Sequence, residues 1–225
     1  MNILLTIAVT FFAGMGAGLG TGFAGMSAAA VISPMLITFL KMDPYMAVGI
    51  ALSSDVLASA VSAYIYGKNK NLDIKNGIIM MISVLTFTVV GSYIASLLPA
   101  ATMGSFSVFM TFLLGIKFIV RPVMTTKEAM QGVSAKKRAI QSVVCGIMIG
   151  LICGFVGAGG GMMMLLILTS VLGYELKTAV GTSVFIMAFT AFTGAVSHFM
   201  IVGAPDWTVF ILCVVFTLIW ARIAA

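Results

Sequence analysis

Two glycine-rich runs interrupt long apolar stretches of this sequence, and their backbone could bind an anion. One run, GAGGG at residues 157–161, lies inside the apolar stretch 146–172, and the other lies inside the stretch 11–40. At membrane depth a broken helix is tolerated only where it is buried in protein or lines a cavity. A helix that begins at such a break presents unpaired N–H groups and about half a positive charge. Because glycine also lets an oxyanion approach the backbone closely, the two runs predict a site for a small anion.

We expect the anion to contact both glycine runs and the hydroxyl groups close to them. In the first half we place the break at three glycines, Gly20, Gly22 and Gly25. The candidate binding residues are Gly22, Gly25, Ser27, Ser53, Ser54, Gly157, Gly159, Gly160, Gly161, Thr182 and Ser183. The alternative for the glycines is helix packing, since small residues at four-residue spacing let membrane helices touch. The alternative for the hydroxyl groups is a bond to a carbonyl of their own helix.

Asp55 is the one acidic residue deep inside an apolar helix, in the run ALSSDVLASAVSAY. A carboxyl group at membrane depth is costly and is functional by default. A buried carboxyl group can also exchange protons, so Asp55 is a candidate for proton coupling. The alternative is a structural hydrogen bond to a neighbouring serine, to Tyr64 or to Tyr66.

The remaining reactive side chains do not form a catalytic or metal-binding set. The three cysteines lie in apolar runs without the spacing of metal ligands, and the sequence has one histidine. An intramembrane enzyme would need a nucleophile with a base, or metal ligands, at depth. A P-loop would need Lys-Ser or Lys-Thr after the glycines. We therefore expect no enzymatic activity, no metal and no cofactor.

The composition is that of an integral membrane protein. Hydrophobic residues make up 61% of the chain, charged residues 8%, and the mean hydropathy is +1.20, whereas a soluble domain has about 25% charged residues. The net charge of +6 sits mostly in two loops, so it reports orientation in the membrane rather than nucleic-acid binding. We expect a multi-pass protein of a prokaryotic cell membrane that contacts lipid and a small anionic substrate, with no nucleic acid. The sequence is compatible with a homo-oligomer.

Apolar runs of spanning length predict an all-α fold. The runs are 3–40, 47–66, 74–98, 106–120, 140–172, 179–202 and 207–224. The first run has 38 residues, and a continuous helix of that length would reach about 57 Å, far beyond a bilayer core of about 30 Å. We therefore expect residues 3–40 and 140–172 each to form a glycine-broken helical hairpin or a re-entrant segment.

The chain contains two similar halves. An offset of 132 residues superposes Gly25 on Gly157, and it pairs Ala-Val-Gly at 47–49 with Ala-Val-Gly at 179–181. Interrupted segments at corresponding positions of two halves are the best pointer in a sequence to the binding site of a transporter. This repeat is the second reason to place the anion at the two glycine runs.

We assign residues 1–124 to a first transmembrane repeat, 125–138 to a cytoplasmic basic linker and 139–225 to a second repeat that lacks a final helix. Lysine and arginine residues mark the loops around 68–75 and 121–138 as cytoplasmic. Two spans separate these loops, which is consistent with both loops lying on the same side. If residues 3–40 and 140–172 each return to the side where they begin, the first begins outside and the second inside, so the charges favour halves that are inverted relative to each other. The counterpart of Asp55 at the same offset is Met187, so proton coupling would be confined to one half.

These motifs resemble those of the sulfite exporter TauE/SafE family of membrane transporters, which is also described as an anion permease family. The likeness rests on GLGTGFAGMSAAAVISPML in the first half and GLICGFVGAGGGMM in the second, and it extends over nearly the whole chain. The resemblance implies a bundle of two homologous halves that carries sulfite, a sulfonate or another small sulfur-containing anion. The chain departs from the family at Met26-Ser27-Ala28, where further glycines are common. The alternative function is an anion channel.

Overall fold

The computed structural model describes residues 3–96, 116, 120, 134–156 and 160–225. Within these residues the chain forms eight α-helices and no strand, which confirms the predicted all-α class. In chain order they are α1 (Ile3–Ala24), α2 (Ala29–Leu40), α3 (Pro44–Lys68), α4 (Ile74–Ser96), α5 (Ala135–Val156), α6 (Gly160–Ser170), α7 (Leu176–Val202) and α8 (Trp207–Ala224). Most of the expected span at 106–120 and of the linker at 125–138 lies outside the described residues, as do Gly157 and Gly159.

Four of the described helices are long and apolar enough to cross a membrane. They are Ile3–Ala24, Met46–Lys68, Leu176–Val196 and Trp207–Ala224. By contrast, α2 has 12 residues and α6 has 11, so each extends about 17 Å and cannot cross a core of about 30 Å. The structure therefore combines helices of spanning length with two short apolar helices. Of these, α2 follows a break at residues 25–28, whereas the predicted break at residues 157–159 lies outside the described residues.

Local sequence signals explain several helix ends. Asp43 caps α3 by accepting from the Met46 N–H at 3.1 Å, and Pro44 occupies the first turn, where proline loses no hydrogen bond. Asp206 caps α8 in the same way by accepting from two backbone N–H groups. The Asp43-Pro44 pair thus separates α2 from α3, and it lies between the predicted apolar runs 3–40 and 47–66.

The first break lies at residues 25–28, further along the chain than we expected. Gly20 and Gly22 are inside α1, and only Gly25, with a φ of 59°, has a backbone conformation that favours glycine. Gly22 instead faces α8, because a Cβ there would lie 2.5 Å from the Ala224 Cβ and 2.9 Å from the Ala221 carbonyl oxygen. The prediction that Gly20 and Gly22 form the break was therefore wrong. Close helix packing, rather than chain reversal, explains Gly22.

Glycines at four-residue spacing bring two pairs of helices into close contact. In α1, a Cβ on Gly18 would lie 2.5 Å from the Thr217 carbonyl oxygen of α8. In α5, a Cβ on Gly150 would lie 2.6 Å from the Val84 carbonyl oxygen of α4. Gly18 and Gly150 are separated by 132 residues (150 minus 18). The offset seen in the sequence therefore recurs in the packing.

Helix positions and contacts recur at the same offset. Adding 132 to the bounds of α1 (3–24) reproduces the bounds of α5 (135–156), and adding it to the start of α3 (44) reproduces the start of α7 (176). The most extensive contacts join α4 to α5, α1 to α8, and α3 to α7. Each half thus packs its last described helix against the first helix of the other half. Two apolar cores result, one around Ile32 and Leu36 and the other around Ile149 and Leu168.

Candidate functional site

The first break meets the first described turn of α6 in the structure. A Cβ on Gly161, in the first turn of α6, would collide with the carbonyl oxygen of Gly25 and would lie 2.9 Å from the Ser27 nitrogen. It would also lie 2.5 Å from the Met187 sulfur of α7. A Cβ on Gly25 would in turn collide with the Ser183 hydroxyl of α7. Residues from both halves, predicted separately to form the site, are therefore neighbours.

Asp55 joins this meeting point from the middle of α3. Its carboxyl group is buried and accepts a hydrogen bond from the Ser27 hydroxyl at 2.6 Å. It also accepts from the Ser59 hydroxyl at 2.9 Å and faces the backbone N–H of Ala28. Of the partners considered for a structural bond, a neighbouring serine is present, whereas Tyr64 is 72% exposed. Asp55 therefore ties α3 to the first break.

Two N–H groups of the first break are already hydrogen-bonded. The Gly25 and Met26 N–H groups donate to carbonyl groups of α1 at 3.0 and 3.1 Å, and the Ala30 N–H, in the first turn of α2, donates to the Ser27 carbonyl at 3.1 Å. The Ala28 N–H faces the Asp55 carboxyl group. The positive end of α2 is consequently compensated by a carboxyl group of the protein itself. We had expected this end to be open to a substrate anion.

At the corresponding position of the second half, the described residues place a methionine instead of a carboxyl group. Met187, the counterpart of Asp55 at the offset of 132, lies against Gly161 where α6 begins. Methionine offers a thioether and no charge, so nothing on α7 at this position compensates the positive end of α6. The two helix starts are thus chemically unequal, although their positions in the two halves correspond.

Most of the predicted hydroxyl groups are bonded within the protein. Ser53 donates to the Gly49 carbonyl at 2.9 Å, Ser54 to the Ile50 carbonyl at 3.1 Å, and Ser183 to the Val180 carbonyl at 2.9 Å. Each bond lies within one helix, which is the alternative considered for these residues. Thr182 instead accepts from the Asp73 N–H at 3.2 Å. The structure therefore brings Gly25, Ser27, Asp55, Gly161 and Ser183 together, whereas Thr182 contacts the turn between α3 and α4.

The pairing of Ser27 with Asp55 is the feature that sequence reasoning missed. The two residues are 28 positions apart and belong to different segments, so no local spacing connects them. The sequence feature that could have indicated this bond is a difference between the residues that follow the two glycine runs. An acid follows the glycine-poorer break, and a methionine follows the break with GAGGG.

Comparison with known proteins agrees with this architecture. The model of the sulfite exporter TauE/SafE family matches residues 10–225. The chain is 26% identical over 203 residues to the "probable membrane transporter protein YunE" of Bacillus subtilis (strain 168), covering 84% of this chain and 74% of the relative. It is 24% identical over 212 residues to the "probable membrane transporter protein YdhB" of the same organism, covering 92% and 84%. No solved structure matches the chain. The chain therefore belongs to the sulfite exporter TauE/SafE family of membrane transporters.

Proposed function

We propose that this protein is a secondary transporter of small anions, with sulfite, sulfonates and other small sulfur-containing anions as the substrate class. The observation that supports the proposal is the contact of Gly25 and Ser27 with Gly161, which places the first break against the first described turn of α6. Family membership supports transport, and the positive helix start at Gly161 supports an anion. The absence of Cβ atoms there would let an oxyanion reach the backbone.

The inequality of the two helix starts indicates how a proton and an anion could be coupled. At the second break the start of α6 is the anion's binding partner. At the first break Asp55 accepts from Ser27 and Ser59 and faces the Ala28 N–H, so its carboxylate occupies the position that a substrate anion would take. Protonation of Asp55 removes that negative charge and weakens its repulsion of an incoming anion. The proton and the anion would then bind cooperatively.

The membrane potential determines whether transport of the anion needs a coupled proton. A monoanion that leaves a cell with a negative interior gains about 2.3 kcal/mol per 100 mV, so export needs no coupling ion. Uptake against the same potential needs one, and a proton on Asp55 would cancel the charge of the cargo. Asp55 is therefore the proposed proton site if the protein imports its anion.

The proposed arrangement is an inverted repeat in the membrane. On α7, Gly181 contacts Tyr66 near the end of α3, while Gly194 contacts Leu52 in its first half. The equivalent helices α3 and α7 therefore run in opposite directions. Within the first half, Gly16 contacts Val31 and Gly20 contacts Met26, which supports a hairpin in which α2 runs back along α1, toward the side where α1 begins.

The inverted arrangement predicts opposite sides for two exposed turns. In a background without native cysteines, Ala204→Cys should react with a membrane-impermeant thiol reagent added to intact cells. Asn69→Cys lies beside Lys68 and Lys70, and it should react only after the cells are permeabilised. Both residues are exposed, so access rather than burial decides the labelling. Labelling of both variants from the same side would contradict the inverted repeat.

Transport by the purified protein tests the proposed function directly. In proteoliposomes, sulfite uptake should exceed that of empty liposomes, should saturate with sulfite concentration, and should be competed by a sulfonate. A carrier saturates because each cycle binds and releases one substrate, whereas a channel would carry a current that rises linearly in the low millimolar range. Linear, unsaturated flux would favour a channel, and the absence of any oxyanion flux would contradict the proposal.

A further inference from the structure

A line of buried hydroxyl groups extends along α3 from Asp55 toward Lys68. Asp55, Ser59, Ser62 and Tyr66 follow one another at spacings of four, three and four residues, so they share one face of the helix. All four side chains are buried, and their exposed fractions are 1%, 0%, 0% and 9%. The line extends about 16 Å and ends two residues before Lys68, the last residue of α3.

Residues 22–27, which comprise the end of α1 and most of the first break, contact this line at both ends. At one end, the hydroxyl groups of Ser27 and Ser59 both donate to the Asp55 carboxyl group. At the other end, the Tyr66 hydroxyl donates to the Gly22 carbonyl oxygen at 2.9 Å. The polar atoms of α3 therefore face residues 22–27 rather than lipid.

Ser62 is the member of the line whose role the protein fold does not explain. Its hydroxyl oxygen is buried and has no hydrogen-bond partner among the described residues. A buried polar group is costly unless it is hydrogen-bonded, so Ser62 needs a mobile partner such as water. A water molecule at Ser62 would stand between Ser59 and Tyr66 and would complete a chain of hydroxyl groups.

Charged groups of the neighbouring helices do not take part in the hydrogen bonds of Asp55. The helices packed against α3 are α1, α2, α7 and α8, and α1 and α2 contain no ionisable side chain. The ionisable residues of the other two helices are Cys213 and Arg222 in α8 and, toward the ends of α7, Lys177 and His198. The described hydrogen bonds of the Asp55 carboxyl group come from the hydroxyl groups of Ser27 and Ser59. Asp55 is thus connected to hydroxyl groups rather than to a counter-ion.

We propose that protons reach Asp55 from the Lys68 end of α3 through the hydroxyl groups of Tyr66, Ser62 and Ser59. The proposal rests on the proton-coupling role of Asp55 proposed above. Each hydroxyl oxygen accepts a proton from the hydroxyl group or bridging water before it and passes its own proton to the one after it. For this step the Tyr66 hydroxyl turns away from the Gly22 carbonyl oxygen, and water bridges Ser62 to its neighbours. One proton enters from water at the Lys68 end, and one arrives on the Asp55 carboxylate, which becomes neutral. No electron is transferred, and rotation of the hydroxyl groups resets the chain.

The proposed path is tested by comparing Ser62 with a second buried serine that has no described hydrogen-bond partner. Ser142 of α5 is also buried without a partner among the described residues, but it lies on another helix. Protonation of Asp55 can be followed after a pH jump by the infrared band of its carboxyl group. This band is isolated by subtracting the spectrum of Asp55→Asn from that of the wild type. We expect Ser62→Ala to slow this protonation at least about tenfold. Ser142→Ala and Ser62→Thr, which keeps a hydroxyl group, should match the wild type.

A second readout separates the path from the transport function. In proteoliposomes, Ser62→Ala should slow pH-driven sulfite uptake and leave exchange between equal sulfite pools unchanged. Protonation of Asp55 at the wild-type rate in Ser62→Ala would overturn the path, whatever the transport result. If the wild type moves no small anion but Ser62→Ala still slows protonation, the path stands and the proposed function fails.

Discussion

Asp55→Asn is expected to abolish pH-driven accumulation of the transported anion while anion exchange between equal pools continues. Asparagine has the size of aspartate and the neutral charge of its protonated form, so the variant is locked in the proton-loaded state. The oxygen of asparagine can still accept from Ser27 or Ser59, so the link between α3 and the first break is kept in part. The measurement is uptake into proteoliposomes with and without an imposed pH gradient.

Asp43→Asn is the matched control for this substitution. Asp43 precedes the same helix, is exposed, and accepts from the Met46 N–H, and asparagine caps helices about as well as aspartate. The control should therefore behave as the wild type in both assays. Unchanged accumulation in Asp55→Asn would exclude Asp55 as the proton site. Loss of exchange and anion binding together would assign Asp55 to the architecture of the site.

Gly161→Ala is expected to eliminate transport and to lower the thermal stability of the protein. The added Cβ would collide with the Gly25 carbonyl oxygen and would lie 2.5 Å from the Met187 sulfur and 2.9 Å from the Ser27 nitrogen. Two of these three neighbours are backbone atoms, which cannot rotate away as a side chain can. Overpacking of this kind typically costs about 1–3 kcal/mol, and here it would force the two breaks apart. Thermal unfolding in detergent and sulfite uptake measure the two effects.

The control for Gly161→Ala is Gly20→Ala, the same substitution inside α1. A Cβ on Gly20 would lie 3.6 Å from the nearest atoms, which belong to the Met26 side chain, so it makes an ordinary contact. Alanine also favours a helix over glycine by about 1 kcal/mol, so this variant should be as stable as the wild type or slightly more stable. Wild-type stability and uptake in Gly161→Ala would show that the two breaks do not meet at this residue.

The sequence predicted the elements that depend on local chemistry. Membrane insertion and helical class followed from composition, because long uncharged apolar runs have few other stable structures. Asp43-Pro44 separates α2 from α3, as expected. The charged stretch 67–71 likewise contains the turn that ends α3 at Lys68. These boundaries were predictable because proline and charged residues act on the backbone within a few positions.

Features that depend on distant contacts could not be predicted. Gly22 and Gly25 look alike in the sequence, since both lack a Cβ, but Gly22 packs against Ala224 and Gly25 forms the break. A helix about 200 residues later in the chain decides between the two roles. The bond between Ser27 and Asp55 was hidden for the same reason. It reverses the expected electrostatics of the first break, because the N–H donors there already face a carboxyl group.

The most direct test of the central claim is a titration of the purified protein with sulfite, in which the thermal unfolding temperature of the protein is measured at each concentration. Methanesulfonate, thiosulfate and acetate should be titrated beside it. A ligand of the folded state stabilises the protein by about 2.7 kcal/mol at a concentration of 100 times its Kd. We therefore predict a saturable rise in Tm with sulfite or a sulfonate, and no rise in Gly161→Ala. The absence of a shift with every oxyanion, or an equal shift in Gly161→Ala, would contradict an anion site where the two breaks meet.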